Sequence, residues 1–124
     1  MVKRRGFTLI ELLVVMAIIA TLLSLVVPRY YGGVKRAEEA TLKQNLSLVR
    51  DAIDKHYADT GRYPETLEEL VTKRYLRSVP LDPVTGASDS WTFSAPPAPE
   101  PGRIYDLKSG SAATALDGSA FNTW

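Results

Sequence analysis

Cysteine is absent from the 124 residues, histidine occurs once, and no charged side chain lies between Glu11 and Arg29. Without cysteine there is no disulfide framework, no thiolate nucleophile and no thiolate metal site. A single imidazole, His56, supports neither a His cluster nor a nucleophile–base arrangement, and no glycine-rich phosphate loop is present, so the chain reads as a non-enzyme. His56, between Lys55 and Tyr57, is expected to be an exposed helix residue. A strong excess of positive charge is also missing. The 15 basic and 14 acidic residues give +1, and setting aside Lys3, Arg4 and Arg5 leaves 12 against 14, a net of about −2. No basic patch survives that would argue for nucleic acid as a partner.

What the chain does have is a basic tripeptide, Lys3-Arg4-Arg5, then Gly6, then an apolar run from Phe7 to Val27. Those 21 residues, at about 1.5 Å each, span roughly 30 Å, the thickness of one bilayer core. The cations in front of the run place the N-terminus in the cytoplasm and everything after Pro28 on the far side. A cleaved secretory signal would want a shorter run ending in an A-x-A-like site, whereas this one ends Ser24-Leu25-Val26-Val27-Pro28. A plain membrane anchor fits better but leaves Glu11 without a purpose. An ionised carboxylate at the centre of a bilayer costs about 2.5 kcal/mol or more. Glu11 is therefore expected to find a partner, and no basic residue follows it within a helical turn.

The stretch Arg5-Gly6-Phe7-Thr8-Leu9-Ile10-Glu11-Leu12-Leu13-Val14-Val15 resembles the class III signal of type IV pilins and type II secretion pseudopilins. The resemblance implies cleavage by a prepilin peptidase between Gly6 and Phe7 and N-methylation of Phe7. Glu11 then becomes the fifth residue, a position the family keeps acidic. The physics agrees. Cleavage removes the anchoring cations and creates an α-amino group that can pair with Glu11 of a neighbouring subunit, an attraction strengthened by low effective dielectric. Such a pair would set the register between subunits, while the surrounding Leu, Val and Ile supply the packing.

Beyond the first 28 residues, about 96 remain, enough for one small domain. With no disulfide, such a domain wants another staple, for example oligomerisation or a metal ion. Pro28 is expected to interrupt the helix and Gly32-Gly33 to soften it further. Leu42, Leu46, Val49, Ile53 and Tyr57 then recur at helical spacing, giving an amphipathic half that ends near Thr60-Gly61. Thr66 and Glu69 fit a capping box, with Leu67, Leu70 and Val71 docking a short helix on the core. Tyr63-Pro64 and the run Pro80-Leu81-Asp82-Pro83-Val84-Thr85-Gly86 resemble pseudopilin segments, although Val84-Thr85-Gly86 stands where that family more often has Trp-Gly. Two strands are expected, Ser90–Ser94 and Arg103–Lys108, joined by the exposed proline-rich stretch 95–102. In the segment from Ser109 to Trp124, Leu116, Phe121 and Trp124 are expected to pin the chain to the sheet.

The expected architecture is α+β and pilin-like: a long N-terminal α-helix, half transmembrane and half amphipathic, packed on a small antiparallel β-sheet. Its parts are a leader at 1–6, a transmembrane and polymerisation helix at 7–28, the amphipathic half at 29–61 and a globular part at 62–124. Phe7, Glu11 and Pro28 are the expected assembly residues. The resemblance further implies a calcium ion after the penultimate strand, where Asp106, Asp117 and carbonyl groups of Leu107 and Ser109 are the available oxygen donors. An Asp-Gly turn at Asp117 is the plainer alternative.

The implied role is that of a structural subunit of a type II secretion pseudopilus, most like the major subunit. It would be a single-pass inner-membrane precursor that polymerises into a periplasmic helical homopolymer. Minor pseudopilins, an inner-membrane assembly platform and the prepilin peptidase are the implied partners. Two alternatives stay open. A type IV pilus subunit would commonly close a C-terminal loop with a disulfide. A monomeric membrane-anchored binding module would escape cleavage and tolerate Glu11→Ala.

Overall fold

The computed structural model describes residues 4–124, so Lys3 of the basic tripeptide lies outside the described residues. The chain divides into two compact units, one ending at Lys35 and the other comprising Arg36–Trp124. Helix α1, Leu9–Thr60, contributes to both. It runs through Pro28 and Gly32-Gly33 without a break, so the expected interruption at Pro28 does not occur. Proline removes one hydrogen bond to the preceding turn, and the well-formed turns on either side carry the helix across.

In the first unit the helix is apolar on every side, and all its large hydrophobic residues from Phe7 to Val27 are exposed. Two hydroxyls within the helix turn back on it: Thr21 Oγ1 donates to the Ala17 carbonyl at 2.8 Å and Ser24 Oγ to the Thr21 carbonyl at 2.7 Å. Each polar group is thereby satisfied without leaving the apolar surface.

In the second unit α1 is amphipathic. Leu42, Leu46, Val49, Ala52 and Ile53 are buried as one stripe. Each large aliphatic side chain removed from water there contributes about 1.5–3 kcal/mol. His56 continues the stripe and is fully buried, which corrects the expectation of an exposed residue. Its Nδ1 lies 2.9 Å from the Arg62 carbonyl, its Nε2 faces Glu69 Oε1 at 3.4 Å, and Tyr75 packs edge-on against the ring. Helical spacing places position 56 on the core face; the Arg62 carbonyl meets Nδ1, while buried Nε2 makes no hydrogen bond and has only the 3.4 Å approach of Glu69. The helix ends after Thr60, where Gly61 adopts φ 71°, a left-handed conformation suited to glycine.

Helix α2, Leu67–Thr72, is capped by Thr66, whose hydroxyl accepts from the Glu69 amide at 3.2 Å. Glu69 reaches back one residue further than expected, to the Glu65 amide at 2.7 Å. Leu67 and Leu70 are buried and Val71 packs beside them. The strands are shorter than the sequence suggests: β1 is Thr92–Ser94 and β2 is Asp106–Lys108. They pair antiparallel, with Phe93 opposite Leu107. A two-stranded ribbon is marginal by itself. Here Leu107, fully buried, seats it in one core with the α1 stripe, Trp91, Ile104, Ala115 and Phe121. Phe121 and Trp124 anchor the C-terminal segment, ring to ring at 5.0 Å. Leu116 does not: it is half exposed, and its neighbour Ala115 takes the buried position.

Candidate functional site

The N-terminal site is built from five residues. Residues 4–8 carry no regular structure, and α1 begins at Leu9. The Gly6-Phe7 peptide bond therefore lies in irregular backbone ahead of the helix. Nothing stands within 4 Å of where a Gly6 side chain would project, and Phe7 is 85% exposed. Thr8 and Glu11 then form a reciprocal cap. The Glu11 amide donates to Thr8 Oγ1 at 3.1 Å, and the Thr8 amide donates to Glu11 Oε2 at 3.3 Å.

Glu11 thus has a partner within its own chain, a backbone N–H at a helix N-terminus, where negative charge is favoured. The signal was available in the spacing Thr8-x-x-Glu11 ahead of an apolar run. Among the described residues no basic side chain pairs with Glu11 in the salt bridges of this structure. Pro28 lies within α1 in the same unit, one residue beyond the apolar run.

The second set of expected site residues lies on and after β2. Asp106 Oδ1 accepts from Arg50 Nε at 2.8 Å and from the Leu107 amide at 2.8 Å. The Leu107 carbonyl accepts from Arg50 Nη2 at 3.1 Å. Ser109 is fully buried, and its hydroxyl donates to Asp82 Oδ2 at 2.5 Å. Asp117 Oδ1 accepts from both the amide and the hydroxyl of Ser119, at 2.9 and 2.6 Å. The Ser119 hydroxyl, then its amide, hold the Asp117 carboxyl below the usual aspartate range, and nearby Lys43 lowers it further. Among the described residues no three His, Cys, Asp or Glu side chains converge as a ligand set. Two of the four expected donors instead face a guanidinium. A calcium ion placed among them would meet positive charge, so these residues do not fit the ion.

Sequence reading missed three residues here. Arg50, on the polar flank of α1, joins Asp106, the Leu107 carbonyl and the Trp124 main-chain oxygen. Lys43, two helical turns earlier, sits over the Trp124 ring with its Nζ 4.9 Å from the centroid. Asp82, read as part of a turn, is fully buried: Oδ1 accepts from the Val84 amide at 2.9 Å while Oδ2 holds Ser109. Only Asp82 carried a hint, since aspartate before proline marks a turn. The other two pairings span most of the domain and leave no local trace.

Residues 1–27 match the family described as the prokaryotic N-terminal methylation motif. Curated relatives include the type II secretion system core protein G of Pseudomonas aeruginosa, 31% identical over 121 residues, with 85% of this chain and 83% of the relative covered. The protein of that name from Klebsiella michiganensis is 34% identical over 100 residues, covering 68% of this chain and 70% of the relative. That from Pectobacterium carotovorum is 35% identical over 97 residues, covering 65% and 62%. The chain thus spans about three fifths to four fifths of the length of these relatives. No solved structure matches it.

Proposed function

This chain belongs to the type II secretion system core protein G family, and from that premise we propose that it is the structural subunit of a periplasmic pseudopilus. In this reading the precursor sits in the inner membrane with its N-terminus cytoplasmic. Prepilin peptidase cuts between Gly6 and Phe7, and Phe7 is N-methylated. The subunits then polymerise through the apolar half of α1, and the growing fibre drives folded proteins outward. Minor pseudopilins and an inner-membrane assembly platform are the partners this role needs.

The observation that supports it most is the combination at the start of α1. An exposed apolar helix long enough to cross a membrane carries one carboxylate in its first turn, immediately after an accessible Gly-Phe bond in irregular backbone. Cleavage would place the new α-amino group of Phe7 beside the Thr8–Glu11 cap, the one anionic point on that surface. A neighbouring subunit can offer the same ammonium to the same carboxylate, and a unique ion pair in an apolar interface fixes stagger better than apolar packing alone. Pro28, which leaves one carbonyl without its helical hydrogen bond, gives assembly a place to adjust the helix.

The test is co-expression of the full chain with a prepilin peptidase, minor pseudopilins and an inner-membrane assembly platform, followed by mass spectrometry of the mature N-terminus and sedimentation of assembled fibres. A chain beginning at N-methylated Phe7, with fibres lost in Glu11→Ala, is the expected result. An intact Met1, or unimpaired fibres in Glu11→Ala, would overturn it.

A further inference from the structure

The C-terminal segment of this domain must be tied down without a disulfide, and the oxygen donors after β2 do not make a cage for calcium. One carboxylate of that region, Asp106, has a basic partner on α1, and Asp117 faces the same groove as Lys43. Arg50 Nε meets Asp106 Oδ1 at 2.8 Å, and Arg50 Nη2 meets the Leu107 carbonyl at 3.1 Å and the Trp124 main-chain oxygen at 2.8 Å. Lys43 lies near enough to Asp117 to lower its pKa and also covers the Trp124 ring at 4.9 Å. Residues 43 and 50 are seven apart, two turns along one face of the helix. Together with Asp117 and Trp124 they line a single open groove between α1 and the C-terminal segment.

We propose that Lys43 and Arg50 are a built-in cationic staple that fastens residues 106–124 to α1 in place of a metal ion. A guanidinium suits the task because its planar fork satisfies a carboxylate and two main-chain oxygens at once, which a lysine point charge cannot do. Asp106 thus pairs with Arg50, while Lys43 acts through the Trp124 ring. Tail order in this protein responds to loss of the arginine and not to removal of divalent ions. The staple belongs to the folded subunit alone and is independent of whether that subunit assembles.

The experiment is hydrogen exchange of the full chain in detergent micelles, read at the amides of Ala115, Phe121 and Trp124, which bond to Ser119, Ala113 and Phe121. It is run with excess calcium and with a chelator, on wild type, Arg50→Gln, Arg50→Lys and Lys43→Gln. The expected wild-type rates are the same in both conditions. Arg50→Gln should speed exchange at these amides by roughly ten- to a hundredfold, the loss expected when hydrogen bonds to a charged group are removed. Arg50→Lys should recover only part, and Lys43→Gln should show a smaller acceleration. Chelator-induced acceleration in wild type would overturn the proposal. So would wild-type rates in Arg50→Gln. Amides in α2 serve as the control: their unchanged protection separates a loosened tail from global unfolding.

Discussion

Replacing Asp82 with alanine should cost this small domain a large share of its stability, although the residue lies in a loop. Its carboxylate is fully buried and both oxygens are in use: Oδ2 takes the Ser109 hydroxyl at 2.5 Å, and Oδ1 takes the Val84 amide at 2.9 Å. The Thr85 amide, at 3.4 Å, is too long to count for much. Truncation strands one buried hydroxyl and one partly buried amide, each worth about 1–3 kcal/mol when left unpaired. The sum, about 2–6 kcal/mol, compares with a total of about 5–15 kcal/mol for an ordinary domain. At about 4–8 °C per kcal/mol for a domain of this size, the melting temperature should fall by at least about 8 °C. Trp91 provides the reporter, since it is buried and its Nε1 donates to the Pro80 carbonyl at 2.9 Å, two residues from the mutated site. Its fluorescence can be followed through a urea or thermal transition of the full chain in micelles. Asp82→Asn, which keeps Oδ1 for Val84 but faces Ser109 with an amide, should fall between the two. A loss below about 0.5 kcal/mol for Asp82→Ala, the range of ordinary surface changes, would refute the reasoning.

Gly102→Ala should destabilise by about 2 kcal/mol or more, because φ is 114° and a Cβ would run into the Tyr63 carbonyl; the shift of the urea midpoint measures it. Leu107→Ala removes a fully buried side chain opposite Phe93 and should cost about 2–5 kcal/mol by the same assay. Acid should loosen the domain in a defined window. Glu69 is held below the usual glutamate range first by the Glu65 amide, then by Lys73 and His56. Its contribution is therefore complete above the unfolded value of about 4.3 and is lost as pH falls through the lower folded value. A Glu69→Gln variant should show a shallower decline of stability over that range in a pH series of melts.

The elements that a local pattern can encode are legible in the order of the residues. The 21-residue apolar run, the Gly6-Phe7 junction, the stripe Leu42–Leu46–Val49–Ile53, the Thr66 cap and the Gly61 stop all follow from spacing and side-chain chemistry within a few residues. The exposed apolar helix follows as well, because hydrophobicity on every side leaves no polar face to turn toward water.

What only the tertiary structure decided are the pairings between distant positions. Helical spacing puts His56 on the core face, but which residues cover it, Arg62 and Tyr75, only the folded chain decides. Arg50 looks like one more charge on a solvated helix face until β2 and the C-terminal segment bring three oxygens to it. The acids on and after β2 are the oxygen donors a cation requires, and the sequence cannot tell a calcium ligand from the partner of an arginine many residues away. Helix and membrane segment depend on neighbours in the chain and are written in its order. The staple depends on which surfaces close against each other, a choice made only when the core around Leu107 forms.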